Sequence, residues 1–139
     1  MQRTFFRLAS LFAMLAVVLG AFGAHALKAY LSEQSMAGFQ TATTYMMTHA
    51  IAIFIVGILH RHYKKKTMVW AGNLFITGII LFSGSIYLRQ LLLFLGFEKT
   101  AIVALVTPLG GLMFILGWLF VFLSISPKEN AEKHPKDDD

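Results

Sequence analysis

The 139-residue sequence contains no cysteine. That excludes disulfides, thiolate metal sites, iron–sulfur clusters and cysteine nucleophiles, and it leaves the redox compartment unread. Charge is scarce as well: Asp, Glu, Lys and Arg make up 14% of the chain, against about 25% in ordinary soluble domains. Acid is absent from the apolar runs. Glu33 and Glu98 fall in connections and the other acids lie in the tail, so no carboxylate pair for acid–base chemistry sits inside a run. No strained nucleophile turn accompanies the serines either. These absences argue against an enzyme. His25 and His49 alone are too few ligands for a zinc or copper site, so neither a metal nor a cofactor is expected.

What the chain has in excess is apolar surface: 57% of its residues are hydrophobic, where about 45–50% is usual. They form four runs, over 5–25, 39–60, 68–90 and 101–125. A hydrocarbon core of about 30 Å takes about 20 helical residues, and each run supplies them. The expected fold is all-α: an integral membrane bundle of four transmembrane helices over 1–126, followed by a polar, disordered cytoplasmic tail over 127–139. The net charge of +5 flanks the runs, so it reads as membrane orientation and not as nucleic-acid binding. Nine basic residues lie at the N-terminus, in "HRHYKKK" and in the tail, against Lys28, Arg89 and Lys99 at the other two connections. That bias places both termini in the cytoplasm. "HRHYKKK" itself reads as an anchor facing anionic lipid.

The first run, ending in "GAFGAHALK", also looks like a signal peptide with Ala24-His25-Ala26 as its cleavage site. Its length is that of a full span, whereas a signal-peptide core is about 7–15 residues. Ala9, Ala13, Ala16, Gly20 and Gly23 also form a small-residue stripe of the kind that lets membrane helices approach. The expectation is a retained helix. Gly78 and Gly84 in the third run, and Gly110 and Gly117 in the fourth, read as further packing positions, whereas Phe75, Ile79, Phe82 and Ile86 share a face expected to meet lipid.

Polar residues inside the runs need a reason. The second run reads as one helix with Ser35 as its N-cap. His49 stands 11 residues before His60, or ~16 Å along a helix, which puts it near mid-membrane, with Tyr45 one turn away on the same face. Ser83, Ser85, Tyr87 and Thr107 lie at similar depth in the outer half, and His25 near the outer end of the first run. One polar pocket holding His25, Tyr45, His49, Ser83, Ser85 and Thr107 is therefore the candidate site. Hydroxyls in membrane helices commonly do no more than bond backbone carbonyls or neighbouring helices. An ionisable residue at that depth is more pointed, and His49 reads either as a bridge between helices or as a working group.

"LGAFGAHALK", "FQTATTYMMTHAIAI", "AGNLFITGIILFSGSIYL" and "TPLGGLMFILGW" resemble the signature blocks of the domain-of-unknown-function 423 family, small bacterial membrane proteins with an animal relative, transmembrane protein 256. The resemblance covers about residues 8 to 122. It implies four spans, an uncleaved first helix and a multi-pass location in the bacterial inner membrane, and it brings no activity. The reading is a structural or accessory bundle whose partners are membrane lipid, a larger membrane complex or itself. The alternative is a conduit for protons or a small polar solute using the pocket around His49.

Overall fold

The computed structural model describes residues 2–25, 27–97 and 99–125; the tail assigned to 127–139 lies outside them. The elements are α1 (Gln2–His25), a 3-10 turn (Leu27–Ala29), α2 (Glu33–Tyr63), α3 (Lys66–Phe94), a one-turn α4 (Ala101–Ala104) and α5 (Val106–Ile125). Counting 101–125 as one, four helices are long and apolar enough to cross a membrane, and no strand occurs among the described residues. Helices are what hydrocarbon demands, because each backbone N–H and C=O must be satisfied within its own segment.

The helix ends follow local chemistry. Ser32, not the expected Ser35, caps α2: its hydroxyl accepts from the Ser35 N–H at 3.2 Å. The helix thus starts a turn earlier, with Glu33 favourably placed in its first turn. Only Lys64 and Lys65 join α2 to α3, with Lys64 in the left-handed region (φ 44°) and its N–H on the His60 carbonyl. α3 stops at Gly96 (φ 86°), where the Phe97 N–H reaches the Leu92 carbonyl at 2.9 Å and the Gly96 N–H reaches that of Leu93 at 3.1 Å. Glycine suits this terminator because a side chain strains a left-handed backbone. The fourth span breaks at Leu105 because Pro108 has no N–H to offer the Ala104 carbonyl and its ring crowds that oxygen.

The helices stand in chain order: α1 packs on α2, α2 on α3, and α3 on α5, with a lesser contact between α2 and α5. Accordingly 44% and 39% of the spans in α2 and α3 are buried, against 17% in each flanking span. This central position corrects the lipid face expected for the third run. Phe75 and Ile79 are core residues, and α3 turns Trp70, Asn73, Thr77 and Ile80 outward instead. A bulky row on a helix enclosed from two sides fills the seams.

The seams are built from phenylalanine rings seated against glycines. A methyl group added at Gly57 would meet the Phe6 ring at 2.7 Å, at Gly72 the Phe5 ring at 2.6 Å, and at Gly23 the Phe39 ring at 2.7 Å. On the other side, one at Gly78 would meet the Phe114 ring and one at Gly117 the Phe75 ring, each at 2.5 Å. Gly110 is the close backbone approach: its added methyl would collide with the backbone nitrogen and Cα of Phe82. Ala9, Ala16 and Gly23 of the small stripe are buried, and Gly20 faces the Thr43 methyl group. Gly84 is not a packing position, since nothing lies within 4 Å of a methyl group placed there. The bundle has two distinct ends: a basic end carrying Arg3, Arg61 and Lys64–Lys66, and a loop end carrying the connections 27–32 and 95–100.

Candidate functional site

His49 sits at the middle of α2, 5% exposed. Its Nδ1 lies 2.8 Å from the Tyr45 carbonyl. A carbonyl only accepts, so Nδ1 carries a proton, and in the neutral ring Nε2 keeps the lone pair. The faces of the ring are enclosed by aromatic side chains. Phe114 of α5 stacks on it with centroids 3.6 Å apart and planes 13° apart. Phe75 of α3 stands at 5.5 Å and Trp118 of α5 at 6.3 Å, both tilted. Tyr45 continues the column, stacked on Phe82 at 4.6 Å. Gly78 and Gly117 make this cradle possible, because the rings of Phe114 and Phe75 occupy the space their side chains would take.

His49 does connect helices, but by ring stacking and not by a hydrogen bond, since its bond to Tyr45 stays within α2. Beside it a cavity of about 610 Å³, lined by Tyr45, Thr48, His49, Pro108, Phe114 and Trp118 among others, opens between α2 and α5.

The six-residue polar pocket does not form. Tyr45 and His49 share the cradle. Ser83 points the other way across α3 and donates to the Ala42 carbonyl of α2 at 2.8 Å. Ser85 donates to the Phe82 carbonyl and accepts from Thr107 at 2.8 Å, tying α3 to α5. His25 is exposed at the loop end, with Nδ1 on the Ala21 carbonyl of its own helix at 3.1 Å. Shared depth does not mean a shared face: the Ser83, Ser85 and Thr107 hydroxyls are each satisfied on a nearby carbonyl or hydroxyl. Sequence reasoning misses Phe75, Phe114 and Trp118 as walls. The four-residue spacing of Phe114 and Trp118, matching that of Tyr45 and His49, is the available signal.

The arrangement offers the His49 Nε2 lone pair, with the Tyr45 and Thr48 hydroxyls, in a largely aromatic setting. Among the described residues Glu33 is the one acid, at the start of α2, and no group of three potential metal ligands occurs. The profile of the family described as "Protein of unknown function (DUF423)" matches residues 19–111. The chain belongs to the DUF423 family. It is 38% identical over 123 residues to UPF0382 membrane protein SERP0230 of Staphylococcus epidermidis, covering 88% of this chain and 95% of that one. UPF0382 membrane protein YwdK of Bacillus subtilis is 35% identical over 124 residues, covering 88% and 96%. No solved structure matches. Four apolar helices and these membrane-protein relatives make it a DUF423 membrane protein of uncharacterised function. Tyr45, His49 and Phe75 lie within the matched region, whereas Phe114 and Trp118 lie beyond it.

Proposed function

We propose that this DUF423 protein is a non-enzymatic accessory bundle of the bacterial cytoplasmic membrane, with both termini in the cytoplasm and the first helix retained. Its partners are lipid, a larger membrane complex or a second copy. The observation that supports the reading is the apolar half of the molecule between His49 and the basic end. Ile53, Val56, Met68, Ala71, Phe75 and Val121 are all buried there, and the Ser124 hydroxyl is satisfied by the Phe120 carbonyl and the Thr67 hydroxyl, each at 2.6 Å. No titratable side chain lies between His49 and His60 on α2, or between Lys66 and Tyr87 on α3. A proton leaving His49 in that direction finds no titratable side chain on these helices to relay it. The flanking helices meanwhile turn Met14, Val17, Phe22, Leu109, Ile115 and Leu119 outward, surface suited to lipid or a partner helix.

The cavity beside His49 favours the conduit as the second reading, and His49→Phe separates the two. The variant keeps a ring to stack on Phe114, an interaction of about 0.5–1.5 kcal/mol, and removes the proton carrier. In liposomes the wild type should show no proton flux above empty vesicles, and the variant should melt close to it. Wild-type flux that His49→Phe abolishes without loss of stability would install the conduit.

Topology is tested with single cysteines at Tyr30 and Tyr63, each the only thiol in the chain. An impermeant maleimide should label position 30 in intact cells and position 63 only after permeabilisation. The reverse pattern would invert the orientation.

A further inference from the structure

His49 is 5% exposed, and its Nε2 has no hydrogen-bond partner among the described residues. That nitrogen is nevertheless not sealed in: the buried side-chain atoms left without a partner are Nδ1 of His60 and Oε1 of Gln90. The ring therefore keeps an open edge at Nε2, and His49 lines the cavity of about 610 Å³ between α2 and α5. Thr48 lines it too. Its hydroxyl gives its proton to the Thr44 carbonyl at 2.8 Å, so toward a ligand the oxygen can only accept. Tyr45 can do either. The other walls include the rings of Phe82, Phe114 and Trp118, and the exposed Leu112 and Ile115 put the opening on the outer surface of the bundle.

Depth limits what can enter. His49 lies 11 residues from His60 along an unbroken α2, or ~16 Å, about half the thickness of a hydrocarbon core. A phospholipid that keeps its head group at the interface cannot bring a donor to that level. An ion is no better suited, because no Asp, Glu, Lys or Arg occurs over 34–59 of α2, 67–88 of α3 or 101–125. We infer that this cavity binds a lipid-soluble phenol, the class that includes the hydroquinones: a neutral aromatic ring on a hydrocarbon tail, its hydroxyl donating to His49 Nε2 and its ring lying against the aromatic walls. Such a molecule reaches the site from the bilayer, supplies the donor that two acceptors call for and needs no counter-charge. The volume lies within the about 300–1,000 Å³ of small-molecule sites. The site adds a ligand to the accessory reading and rests on the bundle spanning the bilayer; binding is read without proton flux, so either can fail without the other.

The test uses the full chain in phosphatidylcholine nanodiscs, whose head group has no hydrogen-bond donor. Binding of 4-dodecylphenol, its methyl ether and 1-dodecanol is measured by native mass spectrometry. The ether keeps the ring without the donor, and the alcohol keeps the donor without the ring. The phenol should bind about tenfold more tightly than the ether, the scale of one buried hydrogen bond, and about fivefold more tightly than the alcohol, the scale of an aromatic pair. His49→Phe should erase the preference over the ether and leave binding of the ether in place. Gly111 also lines the cavity, and a methyl group there stands an ordinary 3.9 Å from the Phe82 ring. Gly111→Leu reaches further in and should weaken phenol and ether alike. Trp70→Phe leaves Trp118 as the only tryptophan, and its emission should change when the phenol binds. Equal binding of the ether or of the alcohol, a preference over the ether that survives His49→Phe, indifference to Gly111→Leu, or an unchanged Trp118 emission would each overturn the proposal. If His49→Phe or Gly111→Leu fails to fold, the three ligands on the wild type and the Trp118 emission decide.

Discussion

The two flanking spans are buried to the same degree but are held differently. α1 is fixed near its ends. Phe5 and Phe6 enter the spaces at Gly72 and Gly57 near the basic end, and Phe39 comes back to Gly23 near the loop end. Between them the contact is a row of small residues, Ala9, Ala16 and Gly20, which permits close approach, with the partly buried Phe12 and Leu19 beside it. α5 is held by exchange: α3 receives Phe114 at Gly78 and returns Phe75 to Gly117, and Gly110 lies directly against the backbone of Phe82. Two rings inserted in opposite directions lock the helices along their axes as well as across them. The histidine cradle is on that locked side.

Gly110→Ala should show the contrast at its largest. The added methyl meets backbone, which cannot rotate away, so α3 and α5 must part at a cost of about 3 kcal/mol, the upper range for an overpacked core. Thermal melting in detergent reads the loss, and the stacking of His49 on Phe114 should weaken with it. Gly57→Ala on the α1 side should cost less, about 1 kcal/mol. Phe6 is only half-buried and packs on the exposed Phe54 at 4.9 Å, so its ring can swing outward. Equal damage from the two substitutions would remove the distinction between the seams. Gly84→Ala should have the smallest effect and the opposite sign. With open space around it, the change gains about 0.5 kcal/mol from helix propensity alone. A destabilised Gly84→Ala would mean that something packs there which the isolated chain does not show.

Four apolar helices are legible from run length, and the inward row of α1 from the spacing of Ala9, Ala16 and Gly23. Where the sequence misleads about which residues meet, the main reason is that periodicity tells which residues share a face and not which neighbour that face meets. Phe75 and Ile79 point to lipid on sequence grounds because bulky rows on membrane helices often meet it, yet α3 has a helix on either side. Gly84 reads as a packing glycine by residue type, whereas it is Gly78, two turns away, that takes the ring of Phe114. Of the candidate pocket, two separate pairs come together: Tyr45 with His49, because they are four apart on one helix, and Ser85 with Thr107, 2.8 Å apart across α3 and α5. Ser83 and Ser85 sit two residues apart on α3, so their side chains leave in different directions, one to Ala42 and one to Thr107.

Because the helices stand side by side in chain order, with a two-residue link between α2 and α3, their contacts are largely local. Such topologies assemble fast, and the order of synthesis can be the order of assembly. α2 can dock on α1 as it leaves the ribosome, and α3 can fold back on α2 at once. His49 is the exception. Phe114 and Trp118 belong to α5, so until that helix is in place the imidazole has only Tyr45 of its own helix and Phe75 of α3 beside it, and its closest stacking partner arrives after the three helices before it.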